Sequence, residues 1–156
     1  MKNLGMFCLL LVCIGLESCK DNQNKKGIKK TDESISVECY RALYEKDSID
    51  LKVNTLKNGK VTGNMEIKFF NMPKKNGNIA GEFRGDTLFV DYSFTEETNN
   101  KIILKNPMAF LKRGNELILG NGKIETYLGK SFFAKKTPID FDHVKFKFKI
   151  VDCDSK

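Results

Sequence analysis

The chain has 156 residues, a formal net charge of +7, 40% hydrophobic and 30% charged residues, a single histidine and no tryptophan. That length suits one ordinary domain with a short extension, and the composition is that of a folded chain rather than a low-complexity one. One histidine excludes His-based metal clusters and a Ser-His-Asp triad with a spare base.

Lys2 forms a short basic start, and Leu4 to Leu16 is apolar apart from two glycines. A spanning helix needs about 20 apolar residues, so this shorter run reads as the hydrophobic region of a signal peptide. It ends in Leu16-Glu17-Ser18-Cys19, and the chain then turns polar. The junction resembles the lipobox of bacterial lipoproteins. There an aliphatic residue, a usually small one, then Gly, Ala or Ser precede a cysteine that receives diacylglycerol before signal peptidase II cuts. Leu16, Ser18 and Cys19 match that pattern, and Glu17 departs from it. The resemblance implies cleavage between Ser18 and Cys19, loss of residues 1–18, and a diacylglycerol and palmitate anchor on Cys19. Lys20, in place of aspartate, implies delivery to the outer membrane. Lys20-Asp21 partly matches the charged cluster that directs Bacteroidetes-type lipoproteins to the cell surface, so periplasmic and surface faces both stay open. Each buried methylene contributes about 0.8 kcal/mol and one chain binds only marginally, so two or three chains on Cys19 would hold durably.

Residues 19–34 read as the acylated cysteine followed by a disordered tether. Five lysines and one aspartate lie between positions 20 and 30, and Ile28 is the only apolar side chain before Ile35. Such a segment cannot bury a core. It acts as a solvated spacer or touches anionic headgroups at about 1 kcal/mol per basic residue. Positive charge gathered in a tether is poor support for nucleic-acid binding, and none is expected. Of the five cysteines, Cys8 and Cys13 would leave with the signal peptide and Cys19 would be acylated. Cys39 and Cys153 remain, and in an oxidising compartment they should pair. The alternative is two thiols buried separately as small hydrophobes.

Residues 35–156 form the expected single β-domain. Val61, Gly63, Met65, Ile67 and Phe69 alternate with Thr62, Asn64, Glu66 and Lys68, a period of two that belongs to strands. Leu88 to Phe94 and Val144 to Ile150 repeat the pattern. The alternation predicts strands at 37–44, 48–56, 61–70, 78–83, 87–94, 101–112, 116–120, 124–128, 131–135 and 144–152, with Pro107 able to interrupt the sixth. Asn58-Gly59, Asn76-Gly77 and Asn121-Gly122 suit type I′ hairpin turns, and Gly85-Asp86 and Gly114-Asn115 suit type II′. The fold class is therefore all-β, an antiparallel meander closing as a small up-and-down, lipocalin-like barrel or a strongly curled sheet. Closure would bring the first and last strands together, where Cys39 and Cys153 lie. Thr137 to Asp142 reads as an irregular connection with room for one helical turn.

Candidate chemistry is sparse. His143 sits at a strand entrance and reads as an ordinary loop histidine. Nucleophile elbows, Walker loops and dinucleotide fingerprints are absent from the sequence, so no catalytic residue, metal or cofactor is expected. Asp91, Glu96, Glu97 and Glu116 are the acids from which a carboxylate dyad would have to come, and a dyad needs about 5 to 9.5 Å between carboxyls. Aromatics are spread over most strands and either fill the interior or line a ligand cavity. The adjacent pairs Phe69-Phe70 and Phe132-Phe133 point to both faces, so a loop or partner should cover part of the outside. Lys145, Lys147 and Lys149 form a charged strand face that reads as serving solubility and edge protection, with contact to an acidic protein partner as the alternative.

Cys39-Tyr40, Asp50-Leu51, Gly59-Lys60-Val61-Thr62-Gly63, Gly81 with Gly85-Asp86-Thr87-Leu88, Asp91-Tyr92 and Val151-Asp152-Cys153 are turn and strand residues. Their layout resembles small Bacteroidetes-type lipoproteins, which implies a fold and an address but no active site. The expectation is a non-enzymatic envelope lipoprotein, tied to the membrane through Cys19, that binds a small ligand or an envelope component. The alternatives are a lipid-anchored inhibitor of a lysozyme-like enzyme and, third, a carboxylate-dependent cell-wall hydrolase.

Overall fold

The computed structural model describes residues 33–154. The expected signal peptide, Ser18, Cys19 and the expected tether up to residue 32 lie outside them. Ten strands follow one another: β1 Ser34–Tyr44, β2 Asp47–Leu56, β3 Lys60–Lys68, β4 Lys75–Arg84, β5 Thr87–Glu96, β6 Asn99–Arg113, β7 Glu116–Leu119, β8 Ile124–Tyr127, β9 Lys130–Phe133 and β10 Lys147–Val151. Eight of them close an antiparallel barrel in the order β1-β10-β7-β6-β5-β4-β3-β2, and β8 and β9 make a separate two-stranded sheet. β10 returns after that excursion and completes the seam, pairing Tyr40 with Ile150 on one side and Phe148 with Leu117 on the other.

Alternation explains the closure. Tyr40, Leu51, Val53, Val61, Met65, Ile79, Leu88, Val90, Tyr92, Phe110, Leu117 and Phe148 point inward and are buried, while Lys52, Asn64, Asn78 and Asp91 between them are exposed. Apolar-in, polar-out is the reverse of a barrel that spans lipid. Tyr92 stacks on Phe94 at 4.7 Å, and Phe110 meets Phe148 edge-on at 5.5 Å. The Tyr92 hydroxyl donates to the Met65 carbonyl at 3.1 Å, which satisfies its one polar atom in the core.

Turn chemistry divides into what local sequence decides and what packing overrides. Gly85 and Gly114 have φ of 60° and 61° with negative φ at Asp86 and Asn115, as a type II′ turn requires. Asn58-Gly59 does not form the expected type I′ turn. Only Gly59 has positive φ; Gly59 N–H donates to the Leu56 carbonyl, and the Asn58 side chain accepts from Lys60 N–H. Asn76-Gly77 is no turn at all but lies inside β4, where a Cβ on Gly77 would meet the Ser93 carbonyl at 2.2 Å. Asn121-Gly122 is likewise not a hairpin; Asn121 bridges to Asp140, and Gly122 makes room for the Phe133 ring. The 137–142 stretch holds no helical turn: Asp140 instead accepts from the Asp142 and His143 N–H groups. β6 runs straight through Pro107. Gly120 N–H donates to the Ala109 carbonyl on the side away from β5, and Pro107, two residues earlier, faces that same side beyond the last β7 pairing. Its missing N–H therefore costs no ladder bond.

The buried phenols give the fold a pH dependence. Burial, with the neighbouring Glu38 carboxylate second, pushes Tyr40 up to about 12 from its ordinary 10.0, and burial raises Tyr92 as well. A folded pKa above the unfolded one means this stability is complete below pH 10 and falls as the pH climbs toward the folded values. We expect the melting temperature to decline above pH 10. In ultraviolet titration of the folded protein the Tyr40 and Tyr92 phenols should resist ionisation well above pH 10, and complete tyrosine ionisation below about pH 11 would refute this.

Candidate functional site

The two ends of the barrel differ in character. Residue 33 enters at one end, which also carries the β2–β3, β4–β5 and β6–β7 turns and the end of β10. This near end is polar. Glu33 bonds Lys57 at 2.5 Å, Lys60 pairs with Glu82, and Glu38 and Lys112 face each other at 4.0 Å. The far end carries the β1–β2 and β5–β6 turns, the 69–74 connection and the long excursion between β7 and β10.

Apolar side chains collect on the far-end connections. Phe70 and Met72 are more than half exposed on the 69–74 segment, Ile103 is 73% exposed at the start of β6, and Leu128 is 84% exposed at the β8–β9 turn. Ile102, Leu104, Ile124, Tyr127 and Phe132 are also exposed, whereas only Ile35, Val37 and Ile150 show comparable exposure near the other end. Scattered apolar residues need no explanation, but a concentration of them marks a contact surface.

Local structure bears on the exposures at Ile102, Ile103 and Leu128. Between the pairs Phe94↔Leu104 and Glu96↔Asn99 the register shifts, leaving residues 100–103 of β6 opposite Thr95 alone. A bulge of this kind re-aims side chains outward. At the β8–β9 turn Leu128 and Gly129 have φ of 48° and 74°, the two positive values of a type I′ turn. Leucine is disfavoured there, because a Cβ in the left-handed region crowds the following carbonyl at a cost of about 1–2 kcal/mol.

The same end holds a cleft of about 280 Å³, with Ile124 in its lining, close to the lower bound of about 300 Å³ for small-ligand pockets. Ile67, Tyr92, Phe94 and Met108 line it from the inner wall, and Leu119, Ile124 and Phe133 from the excursion; Lys75, Asn106 and Asn121 are its polar members. Lys75 sits 3.5 Å from Glu96 and 5.5 Å from the Phe94 ring centroid. Phe69 stacks on Phe146 at 5.9 Å beside the opening. The excursion covers the outer wall too: Phe133 meets Phe89 edge-on, and Ala109, Ile118 and Ala134 are buried there. The adjacent aromatics thus divide, with Phe133 covered by the chain itself and Phe132 and Phe70 left at the surface.

The candidate acids are not brought together. Asp91 points out from the wall and pairs with Lys105 at 2.7 Å, Glu96 pairs with Lys75, Glu97 lies in the β5–β6 turn, and Glu116 starts β7 at the opposite end. His143 is exposed, with Nδ1 3.1 Å from Asp140; the backbone N–H groups of His143 and Asp142, ahead of that ring contact, hold the Asp140 carboxyl below its ordinary range. Among the described residues no group of three or more His, Cys, Asp or Glu is placed to hold a metal ion, and no helix is long and apolar enough to cross a membrane. Cys39 and Cys153 are bonded, with Cα atoms 5.1 Å apart, and clip the chain after β10 to β1 at the seam. Sequence reading missed the exposed run Ile102-Ile103-Leu104. Three consecutive aliphatics break strand alternation, and that was the available signal.

Fold and site together define a disulfide-clipped, eight-stranded up-and-down barrel with one polar and one apolar end. Family models, curated proteins and solved structures offer no match to this chain, so its geometry has to carry the functional reading.

Proposed function

We propose that this protein is a lipid-anchored, non-enzymatic lipoprotein of the cell envelope, attached through Cys19 to the outer membrane, that binds an apolar ligand or an apolar segment of an envelope component at its far end. The observation that carries the reading is the apolar far-end cleft with the exposed Ile124 in its lining, together with the exposed apolar side chains on the connections of that end, while the chain leads back toward Cys19 from the opposite, polar end. A tether of about 14 residues reaches roughly 45–50 Å when extended, so a barrel anchored in this way can present its apolar end away from the membrane. Metabolic labelling with a palmitate analogue tests the anchor. Label should enter the wild-type protein and be lost in Cys19→Ala; equal labelling of both would contradict it.

A second reading, inhibition of a lysozyme-like enzyme, is favoured by the exposed hairpin tip at Tyr127 and Leu128. A side chain held in a disfavoured conformation at an exposed tip is typical of functional loops. Leu128→Asn should relax the turn, stabilise the protein by up to about 1 kcal/mol and abolish inhibition of lysozyme. Absence of inhibition by the wild-type protein would remove this reading.

A further inference from the structure

The outer wall of β1 to β4 carries a feature that the far end does not explain. Two rows of side chains cross these strands. Arg41, Asp50, Glu66 and Asn76 lie in one register row; Cys39, Lys52, Asn64 and Asn78 lie in the next. Between them runs a groove of about 960 Å³, closed at one side by Asp152 and the Cys39–Cys153 bridge. Its floor follows the strand segments at Tyr40, Leu51, Met65 and Gly77, whose side-chain positions face the core. Four strands about 4.8 Å apart give it a length of roughly 14 Å between the outer strand axes.

The wall side chains pair with one another. Arg41 Nε lies 2.5 Å from Asp50, Lys68 Nζ 2.6 Å and Lys74 Nζ 3.5 Å from Glu66, and the Asn64 amide donates to the Asn78 side-chain carbonyl at 2.7 Å. That last bond leaves the Asn64 carbonyl oxygen and the Asn78 amino group available, an acceptor beside a donor. Charge along the lining is balanced: Arg41, Lys52 and Lys68 against Asp50, Glu66 and Asp152.

Chemistry narrows the occupant. A polyanion needs an excess of basic side chains, which the balanced lining lacks. An extended peptide binds through free sheet edges or alternating side-chain pockets, and here the floor is already paired on both sides by the sheet. A neutral ligand rich in hydroxyl groups fits, because each hydroxyl both donates and accepts and the walls offer both kinds of partner. We propose that the β1–β4 groove is a binding site for a neutral oligosaccharide of a few linked pyranose rings, with Asn64 and Asn78 as its central hydrogen-bonding pair.

Nuclear magnetic resonance titration of the oxidised protein with cellotriose, maltotriose, laminaritriose and tri-N-acetylchitotriose tests this. At least one should shift the side-chain amide signals of Asn64 and Asn78, with a dissociation constant of about 1 mM. Asn64→Leu/Asn78→Leu should weaken that binding at least about tenfold, with apolar-probe binding at the far end unchanged. If the double variant fails to fold, Asn78→Asp, which removes the donor and retains the size, should give the same loss. No shift of either amide with any of the four sugars, undiminished binding by a folded variant, or tighter binding of an acidic oligosaccharide would overturn the proposal.

Discussion

Replacing both Cys39 and Cys153 by serine is expected to lower the free energy of unfolding by about 4–5 kcal/mol, the chain-entropy value for a closed loop of roughly this size. The two cysteines are 114 residues apart, so the bond closes nearly the whole barrel into one covalent ring. Its position increases the consequence. β10 has five residues and is held by three register pairs to β1 and three to β7, the shortest strand contacts among those that close the seam with β1. Without the clip, this strand should be the first to exchange its amide hydrogens. Urea unfolding of the oxidised protein, the reduced protein and the double serine variant measures the effect; reduction and substitution should agree. A loss below about 1 kcal/mol would show that the seam is held by packing and not by the cross-link.

Phe110→Ala should be nearly as damaging, at about 3–5 kcal/mol. Phe110 is fully buried, pairs with Leu88 across the sheet and meets Phe148 edge-on. Removing its ring leaves a cavity against β10, the same strand that the disulfide supports. Phe132→Ala, at a position 38% exposed, should cost less than about 1 kcal/mol. Equal losses for the two substitutions in thermal melts would mean that the interior is not packed as described.

Strand existence was legible because one face of each strand is buried and the other wet, so alternation such as Val61 to Phe69 had a single interpretation. Gly85 and Gly114 marked their hairpins correctly, since a two-residue turn is decided by local φ. Asn76-Gly77 and Asn121-Gly122 carried the same kind of signal and misled. Gly77 is needed for close approach to the Ser93 and Phe94 backbone, and Gly122 for the Phe133 ring; both demands are tertiary and leave no local mark. The far-end cleft was not legible either. Phe69, Phe94 and Phe133 read first as core filling and only second as cavity lining, and which applies depends on β7 stopping after four residues and letting the excursion fold back over the wall. One histidine limits the chemistry in the sequence itself, and Asp91, the neighbouring Glu96 and Glu97, and Glu116 fall at three separate places in the barrel.

The barrel thus combines a polar end, at which residue 33 enters, with an apolar end opposite it. Ile124 offers the sharpest handle on that arrangement, because it lines the cleft yet is 47% exposed, so a charged replacement there leaves the buried core intact. Fluorescence titration with an apolar naphthylamine probe should show saturable binding to the wild-type protein and binding weakened at least about tenfold in Ile124→Glu, with the melting temperature of the variant unchanged. Equal binding by the two proteins, or no binding to either, would contradict the assignment of the far end as the ligand site.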